Sequence, residues 1–235
     1  MNEKLKNRWA FVTGSARGIG QQIALGLAQC SCNVIIHGRK KANAEKTYSM
    51  LKDYNIKTDI VEGELDNSGD IKNMCSEAYK LAGHIDILYN NAAIMSGGKK
   101  IWTFSMEEWK KIFDVNFFSM IEVCNFFIPK MSEKGFGRII NMTSGIKDQP
   151  DLSPYSVSKA AVDKYTLDIS AELRGSNVII SYLDPGWLRT DLGSQNAPNP
   201  VESVLPGAIV PALIEDFGPN GQRFNAQDFK HLSLI

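Results

Sequence analysis

The strongest constraint on this chain is a regular alternation of two sequence patterns. Short apolar, β-branched runs, "WAFVTG" (9–14), "NVIIHG" (33–38), "TDIVEG" (58–63), "IDILYN" (85–90), "RIINMTS" (138–144) and "VIISYLDP" (178–185), read as strands. Helical periodicity fills the intervals near 18–30, 42–54, 68–82, 105–133 and 156–175, and "QRFN" (222–225) reads as a last strand. A chain that returns through a helix after each strand lays its strands parallel and covers both sheet faces. Ligands of such sheets bind beyond the carboxyl ends of the strands. Groups suited to chemistry should therefore follow strands, and they do. Gly14 to Gly20 follow the first strand and Arg39 the second, Asn90 and Asn91 close the fourth, Ser144 ends the fifth, and Pro185–Gly186 end the sixth.

Length and charge narrow the class. The 235 residues suit one domain, 1–235, holding every site. Twenty-six basic residues balance 26 acidic ones, so no global charge favours a nucleic acid or a membrane surface. Cys30, Cys32, Cys75 and Cys124 form no CxxC pair and read as reduced thiols, with no metal site expected. The apolar "FFSMIEVCNFFI" (117–128) is too short for a membrane span, and "MNEKLKNRWAFV" lacks a signal-peptide core. A cytoplasmic protein is the expectation. "NAPNPVESVLP" (196–206) reads as an excursion after the sixth strand.

The loop "TGSARGIG" (13–20) joins the first strand to the helical "QQIALGLAQ". Gly14 permits a tight turn, Gly18 lets the backbone approach a phosphate, and Gly20 lets the helix pack on the sheet. The spacing is GxxxGxG. A dinucleotide fold selective for NAD carries an acid about 20 residues on, at the end of the second strand. Here that strand runs into "IIHGRKK", with no acid between Val34 and Lys41. Gly38 leaves room for a 2′-phosphate, Arg39 can pair with it, and Arg17 can approach from the glycine loop. Two such pairs, discounted for exposure, are worth about 2–4 kcal/mol, or about 30- to 1000-fold for NADP over NAD. The competing reading is that Arg17, Arg39 and Lys40 are solvated helix-start residues.

"YSVSK" sets Tyr155 and Lys159 at i and i+4, on one face of the helix that begins near Pro154. A free tyrosine titrates near pH 10, and a neighbouring ammonium lowers that value. Ser144 can hold a substrate carbonyl oxygen against the tyrosine hydroxyl. Alone, the pair would be an ordinary amphipathic helix; the glycine loop and the shared sheet edge favour a site. Asn116 lies on an apolar stripe with Trp109, Ile112, Phe113, Met120, Cys124, Phe127 and Met131, so its amide needs buried partners. It either caps local backbone groups or anchors a water connected to Lys159. Phe117, Phe118, Ile121 and Phe126 form a second apolar face suited to a subunit interface.

"TGSARGIG", "NNAA" (90–93), "VN" (115–116), "NMTS" (141–144), "YSVSK" and "DPGWLRT" (184–190), in that order, resemble the short-chain dehydrogenase/reductase family, including its 3-oxoacyl-carrier-protein reductases and carbonyl reductases. The resemblance covers nearly the whole chain. It implies a Rossmann-type, doubly wound, seven-stranded parallel sheet with helices on both faces, assembled as a homodimer or homotetramer. It implies a catalytic set of Asn116, Ser144, Tyr155 and Lys159. The implied cofactor contacts are Gly14, Ser15, Arg17, Gly18, Ile19, Gly20, Arg39, Glu64, Leu65, Asn91, Ala92, Tyr155, Lys159, Pro185, Gly186 and Thr190, with Asn90 and its neighbours lining the cofactor channel. Ala93 stands where the family usually has Gly, and Glu64-Leu65 where it has an acidic pair. Ser144 lies 11 residues before Tyr155, with Thr143 as its alternative.

The function expected is NADPH-dependent reduction of a ketone, aldehyde or 3-oxoacyl carbonyl, with NADP(H) preferred over NAD(H) and Tyr155 as general acid. The alternatives are an NAD(P)-dependent alcohol dehydrogenase of sugars, polyols or steroids, and a non-catalytic NADPH-binding regulator. The partner expected is a small carbonyl or alcohol, not a nucleic acid or a membrane. Met95, Ile146, Leu152, Trp187 and Leu188 form either a substrate wall or lid packing. Lys99, Lys100 and Lys147 offer little for an acidic carrier protein.

Overall fold

Apolar, β-branched runs become strands buried on both faces: β1 (Trp9–Val12), β2 (Asn33–Gly38), β3 (Thr58–Glu62), β4 (Ile87–Asn90), β5 (Gly137–Met142) and β6 (Val178–Asp184). In the computed structural model, which describes residues 4–95 and 97–232, they pair in parallel in the order β3-β2-β1-β4-β5-β6. The two-residue strands β7 (Leu188–Arg189) and β8 (Asn199–Pro200) form a separate ribbon, and β9 (Arg223–Asn225) completes the main sheet. Alternate residues feed opposite cores, as the two-residue period of a strand requires. Ala10, Val12, Val34 and Ile36 pack with Ile23 and Leu27, whereas Phe11, Ile35, Leu88 and Ile139 pack with Met74, Phe127 and Val162.

The helices are α1 (Gly18–Gln29), α2 (Lys41–Leu51), α3 (Ser68–Ala82), α4 (Met106–Phe113), α5 (Ser119–Lys134) and α6 (Ser153–Glu172). Local chemistry sets their ends. Ser105 and Glu108 form a reciprocal capping box on α4, and Gly83 and Gly135 take left-handed conformations after α3 and α5. The single helix expected over 105–133 is interrupted by a π-helical turn, Asp114–Phe118, with Asn116 inside it. Counted as one run, Met106–Lys134 is long and apolar enough to cross a membrane, which corrects the shorter estimate from 117–128 alone. Its apolarity has a local cause, because Met120, Val123, Cys124, Phe127 and Met131 face the core.

The segment after β6 is more than an excursion. Val204, Ala208 and Ile209 are fully buried against α1, and a side chain at Gly26 would strike Leu205 and Ile209. The strand order reverses between β1 and β4, opening a crevice at their carboxyl ends. All four cysteines are buried free thiols.

Candidate active site

At the crevice, Gly14 (φ +64°) and Gly18 (φ +60°) take conformations that L side chains resist. A Cβ on Gly20 would lie 2.4 Å from the Gly14 carbonyl oxygen and 2.5 Å from Asn91 Nδ2. Asn91 Nδ2 donates to the Thr13 and Gly14 carbonyls at 2.9 and 3.2 Å, and the Asn91 and Ala92 amides donate to Thr13 Oγ1. The loop is thus tied to β4. Above Gly18 the space is open, its nearest neighbour being Thr190 at 3.7 Å. Such a cradle at a helix N-terminus fits the pyrophosphate of a dinucleotide.

His37 ties the same loop to β2 and was missed in the sequence. Its Nδ1 accepts the Gly14 amide at 3.0 Å, and its Nε2 lies 3.0 Å from the Gly63 carbonyl, which makes Nε2 the protonated nitrogen. Burial pushes its pKa down. A histidine inside an apolar strand run was the available signal.

Several expected contacts are redirected. Ser15 is fully buried, and its hydroxyl donates to the Val12 carbonyl while accepting the His37 amide, so the side chain braces the loop instead of meeting a phosphate. Asn90 turns away from the channel, donating to Asn141 Oδ1 at 2.8 Å and Cys124 Sγ at 3.3 Å. Leu65 and Leu188 send their side chains into the core, because each is apolar and has a packed neighbour within reach. Leu188 therefore leaves the candidate substrate wall, where Met95, Ile146 and Leu152 stay half-buried and Trp187 is 58% exposed. Ile19 packs on the core, Glu64 is exposed, and the Pro185 carbonyl accepts Gln227 Nε2. Gly186 is exposed with φ +81°.

Arg39 is exposed just beyond β2, while Arg17 forms an ion pair with Asp191 at 3.0 Å. Both are placed near the loop, and Arg17 has a partner that sequence spacing did not reveal.

Tyr155 and Lys159, near the start of α6, are 7% and 4% exposed. Ser144 Oγ accepts the Ile146 amide at 3.3 Å and lies near enough to the Tyr155 hydroxyl to favour its ionisation. Lys159 Nζ donates to the Met142 carbonyl at 2.8 Å and sits 5.8 Å from the Tyr155 ring centre. Burial pushes Lys159 down to about 8, opposed by Asp163. Burial pushes Tyr155 up to about 12; Ser144 opposes this and Asp184 adds to it. The expectation that Lys159 lowers the tyrosine is thus corrected for the protein alone, because the cost of desolvating a phenolate dominates. Tyr155 is held as a protonated acid.

Asn116 is 3% exposed, and its amide is fully engaged. Oδ1 accepts the Ile94 amide at 2.8 Å, and Nδ2 donates to the Ile94 carbonyl at 2.9 Å and to Ser158 Oγ at 3.1 Å. The side chain takes the backbone-capping role, joining the π turn, the loop after β4 and α6. Among the described residues, no group of three or more His, Cys, Asp or Glu is placed to hold a metal.

A doubly wound sheet with a glycine loop at its switch point, and a Ser-Tyr-Lys constellation at the same edge, defines a dinucleotide-dependent oxidoreductase. The chain belongs to the short chain dehydrogenase family, whose model matches residues 8–200. It is 34% identical to the 3-oxoacyl-[acyl-carrier-protein] reductase FabG of Aquifex aeolicus, over 82% of this chain and 78% of that one. A putative short chain dehydrogenase from Pseudomonas syringae matches with a TM-score of 0.87 and 25% identity, covering 97% of each chain. A metagenomic short-chain oxidoreductase in complex with NADP matches with a TM-score of 0.74 and 26% identity, covering 78% of this chain and 84% of that one.

Proposed function

We propose that this enzyme reduces a small carbonyl compound with NADPH. The observation that carries the reading is Tyr155, buried, near Ser144, and held protonated beside Lys159. A protonated phenol suits donation to a developing alkoxide, the general-acid role of a reductase. Ser144 holds the substrate oxygen against the Tyr155 hydroxyl. Lys159, fixed by the Met142 carbonyl, supplies the charge that stabilises the tyrosinate left behind. Asn116 keeps the loop after β4 in register with α6. Bound NADPH supplies the hydride. Gly14, Gly18 and Gly20 with Asn91 would hold its pyrophosphate.

The preference for NADPH rests on Arg39 and Arg17 and on a β2 that ends without an acid. The metagenomic relative bound to NADP supports the same choice. A homodimer or homotetramer is proposed through the exposed Phe118, Val157 and Leu167 of the π turn and α6. A cytoplasmic location belongs to the same proposal.

The test follows NADPH oxidation over a panel of aldehydes, ketones and 3-oxoacyl thioesters. Wild-type turnover that falls about 10²–10⁴-fold in Tyr155→Phe, with NADPH binding retained, supports the reading. Turnover confined to NAD⁺-driven alcohol oxidation would replace it with the oxidative alternative. NADPH binding without turnover on either panel would favour a regulator.

A further inference from the structure

The two chain neighbours of Ser144 both touch a charged cluster that the reaction itself does not use. On one side, the buried Thr143 donates its hydroxyl to Asp163, one turn beyond Lys159 on α6. On the other, Gly145 lies against Asp184 at the end of β6, so close that a Cβ there would stand 2.5 Å from Asp184 Oδ2. The remaining oxygen, Asp184 Oδ1, accepts the Gly186 amide at 2.9 Å. Both carboxylates meet one guanidinium: Arg223, the first residue of β9, lies 3.1 Å from Asp184 Oδ2 and 3.9 Å from Asp163 Oδ2. Arg223 reaches this point because β9 pairs with β6, placing Arg223 opposite Tyr182.

We propose that Arg223, acting through Asp163 and Asp184, is a positioning residue for Ser144 and sets the charge balance felt by Tyr155 and Lys159. This rests on the reading of Ser144, Tyr155 and Lys159 given above. Without Arg223, two partly desolvated carboxylates would face each other beside the catalytic tyrosine, which is unfavourable unless one protonates or moves. With it, the flanks of Ser144 are each held by a compensated charge.

The charged groups facing the pair come from three elements. Lys159 faces Asp163 on its own helix, and Tyr155 faces Asp184 from β6. Arg223 enters from β9 and lowers the cost of both carboxylates. Deleting a negative charge makes Lys159 and Tyr155 lose their protons more readily, and deleting the positive charge does the reverse. The sign is the same for both groups, so it does not depend on which one a measurement reports. A merely structural role would not produce opposite shifts.

The test titrates Lys159 directly in the protein alone, by NMR of lysine side chains carrying ¹³C at Cε, with its resonance assigned by its loss in Lys159→Arg. The wild-type midpoint is expected near 8, apart from surface lysines. Asp163→Asn should lower it by about 0.5–1 pH unit and Arg223→Gln should raise it by a similar amount. Arg223→Lys, which keeps the charge, should stay within about 0.3 unit of wild type. If Asp163→Asn does not fold by circular dichroism, Asp184→Asn replaces it, with a shift of the same sign expected. Midpoints that do not move, or that move together, would overturn the proposal while leaving the Tyr155→Phe result to judge the catalytic reading. In NADPH-driven reduction of 4-nitrobenzaldehyde, Arg223→Gln should lower kcat with KM for NADPH unchanged; an unchanged kcat would count against it.

Discussion

Arg17 and Asp191 meet at 3.0 Å, joining the glycine loop to the segment that follows β6. Both side chains are largely solvent-exposed, at 75% and 69%, so the pair is weak and open to competition. A 2′-phosphate near Arg39 would compete with Asp191 for the same guanidinium. Asp191→Asn should therefore tighten NADPH about two- to fivefold and leave NADH unchanged. Arg17→Ala and Arg39→Ala should each weaken NADPH alone. Calorimetric titration of both cofactors at fixed salt decides this, and an equal effect on NADH would remove Arg17 from the 2′-phosphate site.

The glycine loop gives a contrasting signature. A methyl at residue 20 would collide with the Gly14 carbonyl and Asn91 Nδ2, neither of which is free to move. Gly20→Ala should weaken NADPH and NADH alike, by about tenfold or more, because displacement of the shared pyrophosphate cradle affects both. The same titrations read it. A selective loss of NADPH would place the 2′-phosphate, instead of the pyrophosphate, at this loop.

Lys159 trades stability for chemistry. Its folded pKa is about 8 against 10.5 for an ordinary lysine, so the folded state sheds its proton first as pH rises. Stability from this group is therefore gained between about pH 8 and 10.5 and is lost as pH falls through 8. Lys159→Met should abolish turnover yet stabilise the fold by about 1–3 kcal/mol at pH 6.5, an advantage that shrinks toward pH 10. Urea unfolding at pH 6.5 and 9.5 checks it. A Met variant less stable than wild type at pH 6.5 would mean that the bond to Met142 outweighs desolvation.

Asn116→Ala removes three hydrogen bonds and leaves the half-buried Ile94 amide and carbonyl without these partners. About 2–3 kcal/mol should be lost, lowering Tm by about 4–12 °C. Asn116→Asp would keep the Ile94 amide bond but set a carboxylate against the Ile94 carbonyl, and should also destabilise. Calorimetry measures both. A Tm unchanged in Asn116→Ala would refute the capping role.

The order of elements was legible because strand and helix periodicities are local, as the match of β2 to "NVIIHG" and α3 to 68–82 illustrates. Gly14, Gly18 and Gly20 were legible for a related reason, since backbone conformation and close approach demand a residue without a Cβ. Tyr155 and Lys159 share a helix face by spacing alone. What a polar side chain does was harder to read once it had a choice of partners. Ser15 and Asn90 spend their hydrogen bonds inside the protein, and Leu188 enters the core beside a tryptophan that does not.

Periodicity and residue spacing determined a parallel sheet, a glycine loop at its first turn and a tyrosine–lysine pair at the same edge. Only the tertiary structure decided that His37 would pin Gly14, that Asp191 would hold Arg17, and that Arg223 would reach Asp163 and Asp184. The reason is geometric. Periodicity describes a residue's relation to its own helix or strand, whereas an ion pair between residues 163 and 223 exists only after β6 and β9 have paired. Side-chain electrostatics is therefore set by long-range packing, and the protonated state of Tyr155 comes from burial that no local pattern records.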